Sequence, residues 1–213
     1  MHPQTTIPRM NLQPEPVRQP LLSEFSLDDV QRLADENPNL RGYIQGYLAE
    51  SRLARQLSLI KGVSNVVKIP DTDDLRGDLL VTYLGIDLTI ECKSLSSGIL
   101  RQDALNGSWE ASVLCKNTDR RVTAVRGQES IQSVNLHKGG FDILSICTFP
   151  VTGRWESLFI LNRYLPERDG MPGLIKSRFI INTGTTPGLT DSAERILNEA
   201  FSAKIMQYTM AQQ

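Results

Sequence analysis

Histidine and cysteine are scarce, at two and three residues in a chain of 213. Cys92, Cys115 and Cys147 stand singly inside apolar runs with no CxxC spacing, so neither a structural zinc site nor a disulfide framework is supported. Long hydrophobic runs are also missing. No stretch approaches the roughly 18 apolar residues a membrane span needs, and the N-terminus has neither a basic nor an apolar leader region, so the expected compartment is the cytoplasm. Excess charge of one sign is absent too: the formal net charge is −1. A surface coated in positive potential is thereby excluded, while a local basic groove is not.

What remains is enough for one substantial core, since 40% of the residues are hydrophobic. Residues 1–22 alternate proline with polar side chains and show no apolar period, so a disordered arm is expected there, followed by a single domain over 23–213. Ser26 with Asp29 three positions later forms an N-capping pattern for a short helix that Pro38 stops. A second helix follows, with Asn39 available as its cap. Tyr43, Tyr47, Ala54 and Leu57 then mark its buried face through about Leu59, and Gly62 ends it. Strand composition recurs at Val66 to Ile69, Trp109 to Cys115, Arg121 to Val125, Phe141 to Phe149, Trp155 to Leu161 and Leu174 to Ile181. A last helix starts near Asp191, its buried face being Ile196, Leu197, Ala200, Phe201 and Ile205.

The informative segment lies between Asp78 and Lys93. From Ile86 the residues alternate strictly, so that Ile86, Leu88, Ile90 and Cys92 share one face and Asp87, Thr89, Glu91 and Lys93 the other. If the preceding strand turns back through Leu84 and Gly85, Asp78 falls opposite Glu91. A four-residue loop from Tyr83 to Ile86 keeps that pairing; a three-residue loop shifts it, and Leu84 is a poor residue for a tight primed turn. Like charges facing one another destabilise a sheet, and a divalent cation is the natural offset. Hard oxygen donors favour Mg2+, for which Mn2+ can substitute, held by Asp78, Glu91 and the backbone carbonyl of Cys92. Such an ion polarises a phosphoryl oxygen and generates hydroxide at neutral pH, with Lys93 beside the attacking water. Glu50 interrupts the apolar stripe of the second helix and needs a partner. Either an arginine such as Arg55 supplies an ordinary salt bridge, or Glu50 joins the metal site as a third acidic group.

These residues resemble the PD-(D/E)xK nuclease superfamily over roughly Gly42 to Phe149. A helix bearing Glu50 precedes the hairpin, Asp78 takes the place of the motif aspartate, and Glu91, Cys92 and Lys93 stand as the ExK triplet. The resemblance implies an α/β fold of the restriction-endonuclease type, a mixed central β-sheet flanked by helices. It also implies Mg2+-dependent hydrolysis of phosphodiester bonds in DNA, with catalytic roles for Asp78, Glu91, Lys93 and Glu50. Asp119, Arg120 and Arg121, followed by Phe141 to Leu144, look like a restriction-endonuclease-like bacterial group of that superfamily. Two features depart from the pattern. Gly77, not proline, precedes Asp78, while Pro70 and Asp71 match the motif literally but too far from Glu91; and Ser94 to Ser108 is Gly/Ser-rich where many members have a helix.

For DNA, Lys116, Arg120, Arg121, Arg126 and Lys138 are the candidate phosphate contacts. Gln128, Gln132 and Asn135 carry amides able to read base edges, although such residues are more often structural. Cutting both strands with one site per chain implies a homodimer. Two rivals make different predictions: a catalytically silent nuclease fold that binds nucleic acid or a protein partner, and a soluble protein whose hairpin carries only a solvated charged face.

Overall fold

The computed structural model describes residues 26–70, 77–96, 98–123 and 131–211, leaving aside the side chains of 117–123, 131 and 132. The expected N-terminal arm lies outside the described residues, as do Asp71, Asp73, Asp74, Arg126 and Gln128. Chain contacts divide the protein into residues 1–42 and 43–213.

In the first of these units, α1 (Leu27–Glu36) opens on the expected capping box. The Ser26 hydroxyl accepts from the Asp29 N–H at 3.1 Å, and the Asp29 carboxylate accepts from the Ser26 N–H at 3.1 Å. Two otherwise orphaned amide donors are thus satisfied reciprocally. Helix α2 (Pro38–Ser58) begins on the proline itself, because a missing N–H costs nothing in a first turn. Asn39 therefore lies inside the helix and not at its cap.

In the second unit, strands β1 (Val63–Lys68), β2 (Leu79–Tyr83), β3 (Ile86–Ser94), β8 (Ile143–Cys147) and β9 (Ser157–Leu161) form a mixed sheet in the order β1-β2-β3-β8-β9. Every neighbouring pair is antiparallel except β3 with β8. That parallel pair needs a long crossover, and the intervening chain supplies β4 (Arg101–Gln102), β5 (Trp109–Leu114), β6 (Lys116–Thr123) and β7 (Ile131–Asn135). After the short α3 (Phe149–Thr152) and β9 come a 3₁₀ turn (Asn162–Tyr164), β10 (Glu167–Arg168), β11 (Met171–Ile175), β12 (Arg178–Asn182) and α4 (Ala193–Ala211). The segment expected as one strand from Leu174 to Ile181 is two, broken at Lys176 and Ser177, where the Ser177 carbonyl turns to accept from Cys115 N at 2.8 Å.

The central sheet buries both faces, on different partners. On one face Leu79, Val81, Tyr83, Leu88, Ile90 and Ile143 pack against Leu53 and Leu57 of α2 and against Ala193, Ile196, Leu197 and Ala200 of α4. On the other, Leu144, Ile146 and Ile160 meet a second sheet ordered β12-β5-β4 through Ala111, Val113, Phe179 and Ile181. Each fully buried aliphatic side chain contributes about 1.5–3 kcal/mol, so both clusters hold the sheet in place. The architecture is a mixed α/β fold whose central mixed sheet is flanked by helices.

Two helical faces differ from expectation. Tyr43 and Tyr47 are about half exposed, at 55% and 51%, and the buried residues of α2 are Leu53 and Leu57. Ile205 on α4 is 40% exposed, because the packed face of that helix ends near Phe201.

Candidate active site

The hairpin has the register its alternation requires. Leu79 pairs with Ile90, Val81 with Leu88 and Tyr83 with Ile86, around a two-residue turn in which Leu84 and Gly85 both have positive φ, at 48° and 80°. This is the primed turn that matches strand twist, adopted in spite of leucine at its first position. The regular ladder stops at Leu79, one residue short of placing Asp78 squarely against Glu91. Asp78 N donates instead to Ile90 O at 2.8 Å, and the Asp78 carboxylate accepts from Cys92 N at 2.6 Å through Oδ2.

Gly77 explains the displacement. Its φ is +106°, and a Cβ built there would lie 3.2 Å from Ile90 O. Proline, locked near φ of about −65°, cannot adopt that conformation. The chain enters the hairpin by pressing its backbone against β3, and Asp78 is thereby held at the Glu91 end of that strand.

Glu91 and Lys93 project from the sheet face that packs on the second sheet, next to Leu144 and Ile146 of the parallel strand. Glu91 is buried, at 5% exposure, and its carboxylate forms an ion pair with the largely buried Lys93 ammonium. Burial alone would lower the lysine pKa. The carboxylates of Glu91 and Asp78, with the hydrogen bond to Glu91, outweigh it and raise the ammonium above the ordinary lysine range. Lys93 is therefore positive at neutral pH. In this state it can orient a water or stabilise negative charge, but it has no lone pair with which to take a proton.

Two cysteines border the pair. Cys115, fully buried after β5, has its thiol pushed up to about 12, by burial first, with Lys93 pulling it down and Glu91 up. Cys92 faces the helical core on the opposite side of β3. Its thiol is raised well above the usual value by burial and then by the carboxylates of Asp78, Glu50 and Glu91. Three carboxylates thus act on one point of β3, although they are not gathered into one ligand cluster. Among the described residues, no three His, Cys, Asp or Glu are placed to hold a metal together. Glu50 forms an ion pair with Lys68 of β1, and the Lys68 ammonium lies 4.5 Å from the centre of the Tyr47 ring.

Of the five expected DNA contacts, the structure describes the side chains of Lys116 and Lys138. Lys116 is exposed at the start of β6. Arg120 and Arg121 belong to the same strand, but their side chains, like all of Arg126, lie outside the described residues. Lys138 is committed elsewhere, donating to Asn162 O at 3.0 Å and Arg163 O at 2.7 Å, and burial lowers its pKa. Asn135 is buried, its amide donating to Ile175 O at 2.8 Å, so it is a structural residue.

Sequence reading gave no role to the group that anchors the other end of β3. The Asp142 carboxylate accepts from Thr89 N at 2.8 Å and from Lys204 Nζ of α4 at 2.7 Å. It ties the first turn of the parallel strand to β3 and to α4. The clue was a lone aspartate immediately before a strand that is apolar except for Ser145.

No family model matches the chain, and no curated protein matches it. The solved structure of a bacterial homing endonuclease is similar over 80% of this chain and 97% of that chain, at 17% identity and a TM-score of 0.37. A likeness of that extent leaves the chemistry to be read from the residues themselves.

Proposed function

We propose that the chain is a Mg2+-dependent endonuclease that hydrolyses phosphodiester bonds in double-stranded DNA, in the manner of restriction endonucleases. The observation that carries this reading is the convergence of Asp78, Glu91 and a positively charged Lys93 at one end of β3, in the hairpin register that the sequence alternation requires.

The donor set fits a small hard cation. Asp78 uses Oδ2 on the Cys92 amide, while Oδ1 has no partner among the described residues. With Glu91 and the Cys92 carbonyl it offers the few oxygens Mg2+ takes from a protein, the remainder coming from water and substrate. When bound, the ion supplies Lewis-acid polarisation of a phosphoryl oxygen and a more acidic water. The residues of the chain do the rest. Lys93 places a positive charge where the attacked phosphoryl group gains negative charge, and its N–H donors orient the nucleophile. The apolar walls formed by Leu144 and Ile146 exclude bulk water and strengthen both effects. Glu50, ion-paired with Lys68, supplies a further acidic group on the helical side of the strand.

The test is incubation of purified protein with plasmid, linear duplex, single-stranded DNA and RNA, in Mg2+ and in EDTA, beside Lys93→Ala and Glu91→Ala. Duplex cleavage that EDTA abolishes and that falls about 100-fold or more in each variant is expected. Cleavage that survives both substitutions refutes the site. One observation favours a second reading, in which the fold binds nucleic acid without cutting it: Glu91 is buried and already paired with Lys93. Retention of duplex without cleavage in either Mg2+ or Mn2+ would select that reading.

A further inference from the structure

At the C-terminal ends of β3 and β8, on the sheet face covered by α2, the surface opens into a cavity of about 410 Å³. Arg52, Arg55 and Gln56 of α2 form one wall; Cys147, Trp155 and Ser157 form the other. A second cavity of about 850 Å³ adjoins it, sharing Gln56, Trp155 and Ser157, and continues to Arg154 and Arg195 but also to Glu156 and Asp191. The two make one groove with Trp155 at its middle. Because Cys147 pairs with Ser94, the groove lies at the C-terminal end of β3, on the sheet face opposite the one from which Lys93 projects.

The tryptophan is a fixed platform. Its ring stacks on Phe149 with centroids 4.1 Å apart and planes 18° from parallel. The loop carrying it is pinned by Thr148 N donating to Glu156 O at 2.9 Å and by the Thr148 hydroxyl, which reaches Glu156 O at 3.2 Å. The Arg52 guanidinium lies 4.9 Å from the centroid of the same ring. Stacking occupies a face of a guanidinium and leaves its in-plane N–H donors for acceptors, with less freedom lost on binding.

Charge distinguishes the two parts of the groove. Arg154 pairs with Glu156 at 3.4 Å and Arg195 with Glu199 at 2.8 Å. Arg52 and Arg55 have no carboxylate partner among the described residues, and no acidic side chain lines their cavity. Two arginines with no carboxylate partner among the described residues, one braced on an aromatic ring, in a recess at the end of the sheet, call for an anion repeated along a chain.

We propose that this groove holds the phosphate backbone of DNA, with Arg52 and Arg55 each contacting a phosphate at the end of the sheet, on the face opposite Lys93. It rests on the nuclease reading above and names contacts different from the lysines and arginines expected from sequence. Arg52 and Arg55 bind and position; they take no part in the bond-breaking step.

The test measures binding of a fluorescent duplex by anisotropy, in EDTA and across a salt series, for the wild type, Arg52→Ala/Arg55→Ala and Lys93→Ala. The double variant is expected to bind at least tenfold more weakly. The slope of log affinity against log salt should be shallower by about 1–2, since each neutralised phosphate contributes about 0.9. Affinity within twofold of wild type and an unchanged slope overturn the proposal. If loss of the Arg52 stack costs the fold, as circular dichroism would show, Arg55→Gln alone decides: a several-fold loss with a slope change of about 1 supports the groove, and no change refutes it. Cleavage by wild type that is indifferent to the arginines sinks the groove alone. DNA held through the arginines, with cleavage that survives Lys93→Ala, sinks the nuclease site alone. A wild-type protein that neither binds nor cuts sinks both.

Discussion

Asp78 has a structural job and a proposed one that can be tested apart: one carboxylate oxygen holds the Cys92 amide, and in the proposed mechanism the charge serves the metal site. Asn at this position keeps an oxygen acceptor and loses the charge. Asp78→Asn should therefore lower cleavage about 100-fold while shifting the melting temperature by only a few degrees, as followed by plasmid nicking and circular dichroism. A pH effect follows from the neighbouring groups. The thiols of Cys92, Cys115 and Cys147 and the ammonium of Lys93 all have pKa values raised in the folded protein. A raised pKa gives stability that is complete below the unfolded value and is lost as pH climbs toward the folded one. Melting temperature should then hold up to about pH 8.5 and fall steadily above it, as the unfolded chain begins to ionise its thiols. At pH 8 the native protein should give no rapid thiol reaction with a disulfide reagent, whereas all three cysteines should react in guanidinium; fast native labelling would contradict the burial of these groups.

At the scale of elements, the β2–β3 hairpin was legible because a period of two admits only one face for Leu88, Ile90 and Cys92, and burying that face sets the register. Its cost is also visible. Leu84 has φ of +48° in a turn that favours asparagine before glycine, so Leu84→Asn should stabilise the protein by about 0.5–1 kcal/mol in a urea titration. The entry to the hairpin was not legible, since only the Gly77 conformation shows why the ladder ends before Asp78. Helix α2 misled for a different reason. Tyr43 and Tyr47 have the spacing of a buried stripe, but a tyrosine ring tolerates exposure, and the core contacts the helix only from Leu53 onward. Lys68 as a partner of Glu50 was not legible either, since it comes from a strand and no helical spacing points to it. The groove beside Trp155 was invisible in sequence, since Arg52 and Trp155 are joined only by tertiary packing.

For the molecule as a whole, both hydrophobic clusters draw on residues from Leu53 to the end of the fold. A chain lacking residues 1–36 should accordingly unfold cooperatively within a few degrees of the full-length protein by calorimetry. A loss of cooperativity would show that the first unit is needed to complete the second. No helix among the described residues is long and apolar enough to cross a membrane. If both strands of a duplex are cut in one encounter, light scattering should find two chains per particle at the concentrations where linear product appears.

The parallel pairing of β3 with β8 has one further consequence, which concerns time. Ile90 meets Ile143 only after the 52 residues between them have been made, whereas the β2–β3 hairpin needs nothing beyond its own two strands. Local hairpins form in about 1–10 μs, and distant parallel pairings follow later at a higher entropic cost. A chain emerging from the ribosome therefore holds the Asp78 turn well before Leu144 and Ile146 arrive to shelter Glu91 and Lys93. On the nuclease reading proposed above, competence to cut would be withheld until the chain has been made at least to Ile146.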